Sequence, residues 1–341
     1  MTAAVEKQAE SPVVETSQIS SIHSLTTRAS KFFTRKTIII IVTMVGVVSL
    51  ALGFGLGIGL TRACPTENHH ASTSASASAS AIASPATPSS QSSSSASLIQ
   101  PAIGTTWDYP LGFSLSTSNA NKSTIFYPVD LENTSADTIA ALQSAGHTIV
   151  CYFSAGSVES YRSDADQFPA SAIGNTLDGW PDENWLDTRD STVRSIMAAR
   201  IASAADKGCV GIDADNIDAY ENDPGFDLTE DTAVDYVTYL ARTANAAGLA
   251  YGLKNGGAIV DRVVDVAAWA INEQCAEYEE CADFAPFVAA GKPVFHVEYT
   301  DDDDATSVTA AKLEKACAAD GQTGFSSIVK HESLDDWVVY C

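Results

Sequence analysis

Apolar residues fall along this chain in three regimes. From Thr37 to Leu60 they run almost unbroken, and no charged residue interrupts them. From 61 to 97 they are sparse and aperiodic among Ser, Ala, Thr and Pro. From Leu98 to Cys341 short apolar runs alternate with stretches of helical spacing. Ser135 to Ala145 places Ile139 and Leu142 on one helical face and stops at Gly146. Ser191 to Lys207 turns Val193, Ile196, Met197, Ile201 and Ala204 inward and stops at Gly208. Thr229 can cap a third helix whose first turn carries Glu230 and Asp231, where the dipole favours acids, and which stops at Gly248. Two more helices are expected to stop at Gly291 and Gly321. Glycine suits these places because the residue after a helix often takes a left-handed conformation.

The apolar runs read as strands: 106–109, 125–129, 148–153, 210–212, 249–253, 269–271, 293–297 and 325–329. Strands alternating with helices imply parallel βαβ units. The eight runs in a segment of this length predict an α/β domain, a closed (β/α)8 TIM barrel over residues 98–341. An open doubly wound sheet is the alternative, but no G-x-G-x-x-G or Walker sequence supports it. In a barrel the chemistry sits at the C-terminal ends of the strands. Those positions are Asp130, Ser154, Asp213 and Asp215, Lys254 and Asn255, Asn272 and Glu273, and Glu298 and Tyr299.

The uncharged stretch 37–60 is long enough for one helix to cross a bilayer. A cleaved signal peptide is the competing reading, but its apolar core is usually shorter and nearer the start. Arg28, Lys31, Arg35 and Lys36 precede the stretch and only Arg62 closely follows it. The positive-inside rule then predicts a single-pass type II protein of the plasma membrane, held by this N-terminal helix. Residues 1–36 would be a disordered cytoplasmic tail, 61–97 a Ser/Ala-rich stalk, and 98–341 the extracellular domain. Six of the seven cysteines lie in that domain, which favours disulfides. Cys275 with Cys281 is the best local pair, Cys317 with Cys341 could pin the C-terminus, and Cys151 and Cys209 are either bridged or simply buried. Asn121 and Asn133 open glycosylation sequons.

The segment 98–341 holds 13 Lys and Arg against 39 Asp and Glu, a net charge of −26. That argues against nucleic-acid binding and suits a cationic ligand, although solubility alone would also explain it. Two carboxylates flanking a bond can cleave a glycoside. Asp215 and Glu273 end the fourth and sixth expected strands, and Lys254 with Asn255 ends the strand between. An ammonium near Asp215 would keep it ionised, suiting a nucleophile, and a less solvated Glu273 would suit the acid/base. Asp130, Asn216, Asp218, Lys254 and Glu298 would bind or orient substrate. Trp107, Tyr152, Trp180, Trp185, Tyr220 and Tyr299 are aromatics that could stack on sugar faces. The alternatives are structural ion pairs and metal binding by Asp213, Asp215 and Asp218. No cofactor motif is present, and Asp301 to Asp304 reads as a solvated loop.

The stretches C-Y-F-S-A-G-S-V-E-S-Y-R-S-D (151–164), G-W-P-D-E-N-W-L-D (179–187) and D-A-D-N-I-D-A-Y (213–220) resemble the endo-α-1,4-polygalactosaminidases, glycoside hydrolase family 114. So do G-L-K-N (252–255), N-E-Q-C-A-E-Y-E-E-C (272–281) and G-K-P-V-F-H-V-E-Y (291–299). The resemblance covers nearly the whole domain, in order. It implies a (β/α)8 barrel that hydrolyses α-1,4-linked galactosamine-containing polymers such as galactosaminogalactan, with its acidic pair on Asp215 and Glu273. A partly deacetylated, cationic polysaccharide would give the negative charge a purpose. The family often has Glu where this chain has Asp213, and a Trp and Gln pattern in the first strand where this chain has W-D-Y-P-L at 107–111. No catalytic role is therefore carried onto Asp213, and the subsites of the first strand stay open. The apolar span and Ser-rich stalk resemble cell-surface forms from filamentous fungi. A barrel hydrolase of another amino-sugar polymer and a non-catalytic surface lectin are the rival readings.

Overall fold

The computed structural model describes residues 98–341 apart from Asp301 and Asp304. The expected tail, membrane helix and stalk lie outside the described residues, as do two positions of the 301–304 loop. Among the described residues no helix is long and apolar enough to cross a membrane.

Most of the expected strands form one curled sheet. It comprises β1 (Phe126–Asp130), β2 (Thr148–Ser154), β6 (Gly211–Asp215), β7 (Ala250–Lys254), β8 (Trp269–Glu273), β9 (Val294–Tyr299) and β10 (Ser326–Lys330), hydrogen-bonded in that order and parallel throughout. A last strand, β11 (Val338–Tyr340), adds to β10 in the antiparallel sense. The expected first strand is reduced to a single parallel bridge between Trp107 and Phe126. Proline explains the reduction: beyond the Asp108 amide to Phe126 the ladder would need the amides of 110 and 128, and Pro110 and Pro128 have none. The segment still lies between the two ends of the sheet: Trp107 Nε1 donates to the Ser326 carbonyl of β10 at 2.8 Å.

Between β2 and β6 the chain builds a second, three-stranded antiparallel sheet. Its strands are β3 (Ser157–Glu159), β4 (Ile173–Leu177) and β5 (Trp180–Leu186), in the order β3-β5-β4. The parallel alternation gave no sign of it. It begins three residues after β2 ends, so it rides on the C-terminal rim of the main sheet, tied there by the Ala155 and Gly156 amides donating to the Asp215 carbonyl.

The helices start where capping chemistry places them. They are α1 (Ala136–Ser144), capped by Ser135, α2 (Ser191–Asp206), capped by Asp190, and α3 (Glu230–Ala246), where Thr229 and Thr232 form a reciprocal capping box. Later crossovers are short: α4 (Val260–Val263), α5 (Ala285–Ala289) and α6 (Ala310–Ala318).

The core divides on the two faces of the curled sheet. Ile139, Leu142, Val193, Met197, Ile201, Val237 and Leu240 pack from the helices onto Ile149, Ile212 and Leu253. Inside the curl lie Trp107, Tyr109, Phe126, Val150, Trp269, Ile271, Phe295, Val297 and Ile328. Trp269 fills the floor, and it fits because β6 and β7 carry glycine beneath it. A Cβ at Gly252 would lie 2.0 Å from Trp269 Nε1, and one at Gly211 2.6 Å from its ring. Three disulfides close the domain: Cys275–Cys281 and Cys317–Cys341 as expected, and Cys151–Cys209, which joins β2 to the approach of β6.

Candidate active site

Strand period two builds the site. On β6 Ile212 and Ala214 face the helices, so Asp213 and Asp215 face the interior. The same count turns Lys254 of β7, Glu273 of β8 and Tyr299 of β9 inward. Four neighbouring strands therefore end in Asp215, Lys254, Glu273 and Tyr299 on one rim. In the first three the next residue is left-handed: Asn216 (φ 61°), Asn255 (φ 49°) and Gln274 (φ 62°). Asn tolerates that region better than most residues. The backbone thus turns sharply away and leaves each terminal side chain at the mouth.

Lys254 Nζ donates to Asp215 Oδ1 at 3.0 Å and to Glu273 Oε2 at 2.8 Å. Its side chain is 1% exposed, against 15% for Asp215 and 25% for Glu273. The ammonium is the floor of the site and the carboxylates are its open walls. Burial works against the charge on Lys254, but Asp215, Glu273 and Asp213 outweigh it and hold the amine firmly protonated. Asp215 also accepts from Tyr152 Oη at 2.8 Å and from the Asn216 amide at 2.8 Å. Glu273 accepts from Tyr299 Oη at 2.5 Å, and its amide donates to Asn255 Oδ1 at 3.0 Å. Burial and the neighbouring carboxylates raise the pKa of Tyr109, Tyr152 and Tyr299, so these phenols stay neutral donors.

Behind the pair, Asp213 is fully buried and accepts from Tyr109 Oη at 2.9 Å. Burial, with Asp215 and Glu273, pushes its carboxyl up to about 7 against the pull of Lys254. Asp218, half-buried, is raised to about 6 by burial and by Asp215 and Glu221. Asn216 Nδ2 reaches Ser154 Oγ at 2.9 Å, and Ser154 meets Ser157, which donates to Glu183 at 2.8 Å. Burial lifts Glu183 to about 7, with Glu159 and Asp215 adding to it.

The structure thus brings together Asp215, Glu273, Lys254, Asn255, Asn216, Tyr152 and Tyr299, with Asp218 beside them. Four other expectations fare differently. Glu298 points away from the mouth, toward the loop after β8, because it alternates with the inward Tyr299; its Oε1 accepts from the Ala276 and Glu277 amides and lies 2.9 Å from His296 Nε2. Asp130 ends β1 but is committed to Arg162 at 2.8 Å. Trp185 is 6% exposed and packs on Leu177 and Ala219, and Trp107 is wholly buried, so neither offers a face to a sugar. Trp180 does, at 60% exposed. Tyr220 is half-buried beside Gly256, just past the rim residues of β7. Sequence reasoning missed Tyr109, Glu183 and the Arg162–Glu159 pair. The Asp178-Gly179 dipeptide between Leu177 and Trp180 was the available sign of the hairpin that places Glu183.

The acids also bear on the metal alternative. Of its three acids, Asp213, Asp215 and Asp218, the middle one is already paired with the Lys254 ammonium, which also holds Glu273. Among the described residues, Cys275, Cys281 and His296 also cluster like metal ligands, but the two sulfurs are bonded to each other.

Residues 88–341 match the glycoside-hydrolase family GH114. Among solved structures, the chain is similar to Ega3 of Aspergillus fumigatus in complex with galactosamine, at 44% identity over 71% of this chain and 97% of that one, with a TM-score of 0.68. The glycoside hydrolase domain of PelA from Pseudomonas aeruginosa shares the fold at 15% identity, over 69% of this chain and 96% of that one, with a TM-score of 0.54. No curated protein matches. Two inward carboxylates on one lysine, a family match over most of the length and a solved relative this similar lead to one conclusion: the chain belongs to glycoside hydrolase family GH114.

Proposed function

We propose that this glycoside hydrolase cuts internal α-1,4 bonds in a galactosamine-containing polysaccharide by a retaining, two-carboxylate mechanism. The observation that carries the reading is the bridging of Asp215 and Glu273 by Lys254. With contacts of 3.0 and 2.8 Å, the two bridged oxygens are no farther apart than both distances together, 5.8 Å. Retaining enzymes hold their carboxyl groups about 5–5.5 Å apart, whereas inverting ones need roughly 6.5–9.5 Å to admit a water. Asp215 is the nucleophile and Glu273 the acid/base. The expected reason for that division does not survive: Lys254 touches both acids, and Glu273 is the more exposed of the two. The donor count supports the division instead. Three donors converge on the Asp215 carboxylate and two on Glu273. The extra hydrogen bond fixes the Asp215 oxygens in place more firmly than those of Glu273, as a nucleophile requires.

The substrate reading rests on the net charge of −26 over 98–341, on the acids Asp213 and Asp218 behind the rim, and on the galactosamine bound by the fungal relative. An ammonium-bearing polymer is drawn to such a field. Trp107 and Tyr109 stand between β1 and β10, which supports a distorted (β/α)8 barrel. We also place the domain outside the plasma membrane, anchored by residues 37–60. The uncharged span supports this, as do the exposed sequon residues Asn121 and Asn133 and the three disulfides.

The test is incubation of the full chain with partly deacetylated galactosaminogalactan, with products followed by mass spectrometry. Short galactosamine oligomers from the wild type, and none from Glu273→Gln or Asp215→Asn, are expected. Binding without products by all three proteins would overturn the enzymatic reading in favour of a lectin.

A further inference from the structure

A retaining cycle moves negative charge across the cleft twice, and one residue touches both ends of that path. We propose that Lys254 is a catalytic residue that hands its ion pair from Asp215 to Glu273 and back in each turnover. The proposal rests on the retaining reading above.

In the first step an Asp215 oxygen bonds to the anomeric carbon. The bond to the leaving oxygen breaks with its electron pair, and the Glu273 proton goes to that oxygen. Asp215 is now a neutral ester and Glu273 a carboxylate. In the second step a water oxygen bonds to the anomeric carbon, Glu273 takes the water proton, and the ester bond returns its electron pair to Asp215. Lys254 gains and loses no proton.

A cation fixed beside one acid alone would oppose half of this cycle. Opposite charges this close in a partly dehydrated cleft attract far more strongly than in bulk water. Lys254 avoids that asymmetry by lying 3.0 Å from Asp215 and 2.8 Å from Glu273. It is held in place as the last residue of β7, 1% exposed, with Nζ 5.9 Å from the centre of the Tyr109 ring. The groups around it are suited to the exchange. Asp213 of β6 lies behind it, and Tyr152 of β2 and Tyr299 of β9 each give one neutral hydrogen bond, to Asp215 and to Glu273. Each carboxylate therefore keeps a phenol when the ammonium favours the other. This is preorganised charge stabilisation, which costs no reorganisation at the moment of reaction.

The test compares the full-length wild type with Lys254→Met and Lys254→Ala on partly deacetylated galactosaminogalactan. Lys254→Met is expected to lose at least about a hundred-fold in kcat, the scale of one deleted electrostatic donor, with KM within about threefold. Lys254→Ala is expected to regain activity with methylammonium and not with ethanol at the same concentration. A kcat within about threefold of wild type, or equal rescue by ethanol, would show a space-filling residue and overturn the proposal. Should both variants misfold, the wild type itself can be crystallised after trapping with a 5-fluoro-galactosaminyl fluoride. Lys254 Nζ is then expected to keep its 2.8 Å contact with Glu273 and to have lost its 3.0 Å contact with the esterified Asp215, and an unchanged contact with Asp215 would overturn the proposal. If the wild type neither makes oligomers nor traps the fluoride, the glycosidase reading itself fails and takes this proposal with it.

Discussion

Lys254 and Arg162 are each held by more than one carboxylate, and only the Lys254 site is open. Arg162 grips Glu159 with two hydrogen bonds of 2.7 Å and Asp130 with contacts of 2.8 and 3.1 Å. The remaining capacity is also spent: Asp130 Oδ1 accepts the Asn133 amide, and Glu159 Oε1 accepts Tyr161 Oη. Lys254 touches one oxygen of each partner, and Glu273 keeps 25% exposure where Glu159 keeps 4%. Both clusters set one cation among several acids, Glu132 lying 3.9 Å from Arg162 and Asp213 behind Lys254. A planar guanidinium closes around both acids and fixes the insert sheet to β1, whereas a point-charge ammonium leaves both acids facing the mouth. Whether a buried ion cluster holds a fold or runs a reaction is here a matter of how many lone pairs it leaves unspent.

The largest effects should fall on opposite quantities at the two sites. Asp215→Asn is expected to lower kcat by about a thousand-fold or more while the protein stays folded, since the loss is of the reacting group. Arg162→Met is expected to keep kcat within about tenfold but to lose about 3 kcal/mol of stability, because Glu159 and Asp130 are left buried without their cation. For a domain of this size that is a fall in Tm of roughly 6–12 °C. Calorimetry beside polymer-cleavage rates reads both. An Arg162→Met protein that is inactive at unchanged Tm would erase the distinction.

A smaller effect sets the buried acids around the open site against ion-paired acids elsewhere in the domain. Asp213 and Glu183, near 7, and Asp218, near 6, are raised in the folded chain, chiefly by burial. Raised acids contribute stability that is complete below their unfolded values, about 4, and is lost as pH climbs through 6 and 7. Asp164, Asp187 and Asp335 behave oppositely. They are lowered by Arg200, Arg189 and His331, and their contribution is lost as pH falls below about 4. Stability should therefore peak near pH 4–5 and decline toward 8. Glu183→Gln should flatten the upper limb without moving the lower one. A Tm that rises between pH 5 and 8, or an unchanged slope in Glu183→Gln, would contradict the account.

The open site was readable in the sequence and the closed one was not, for a physical reason. Asp215, Lys254, Glu273 and Tyr299 end buried parallel strands, whose period of two and common polarity let inward positions be counted off. Glu298 shows the limit of that counting, because a register error of one residue moves a side chain to the other face. Trp107 and Tyr109 were placed near the right edge, but Pro110 and Pro128 stop the ladder there. The insert sheet has no comparable signature. Its strands I-G-N-T-L and W-P-D-E-N-W-L carry polar residues in the middle and apolar ones at the ends, with no period of two to count. Glu183 could be approached only through the Asp178-Gly179 turn, and Arg162 only through its partners, which are distant in sequence or on that same insert.

The smallest effect tests whether openness also sorts the aromatics. Trp180 and Trp185 lie on the same strand, β5, one 60% and the other 6% exposed. Trp185 fills a satellite cluster with Leu177 and Ala219, so Trp185→Ala should cost about 3 kcal/mol and act mainly on Tm. Trp180 buries too little for its loss to be felt in the fold, so Trp180→Ala should leave stability within about 0.5 kcal/mol. If its ring carries a sugar at the outer end of the cleft, the loss is one aromatic contact of about 0.5–1.5 kcal/mol, or roughly a two- to tenfold rise in KM with kcat held. That rise should appear on long polymer and vanish on short oligomers, which cannot span from the Asp215–Glu273 pair to the insert sheet. An equal rise on short and long substrates would place Trp180 beside the reacting sugar, and no rise on either would leave the ring an exposed hairpin residue, so that openness alone does not mark a contact with substrate.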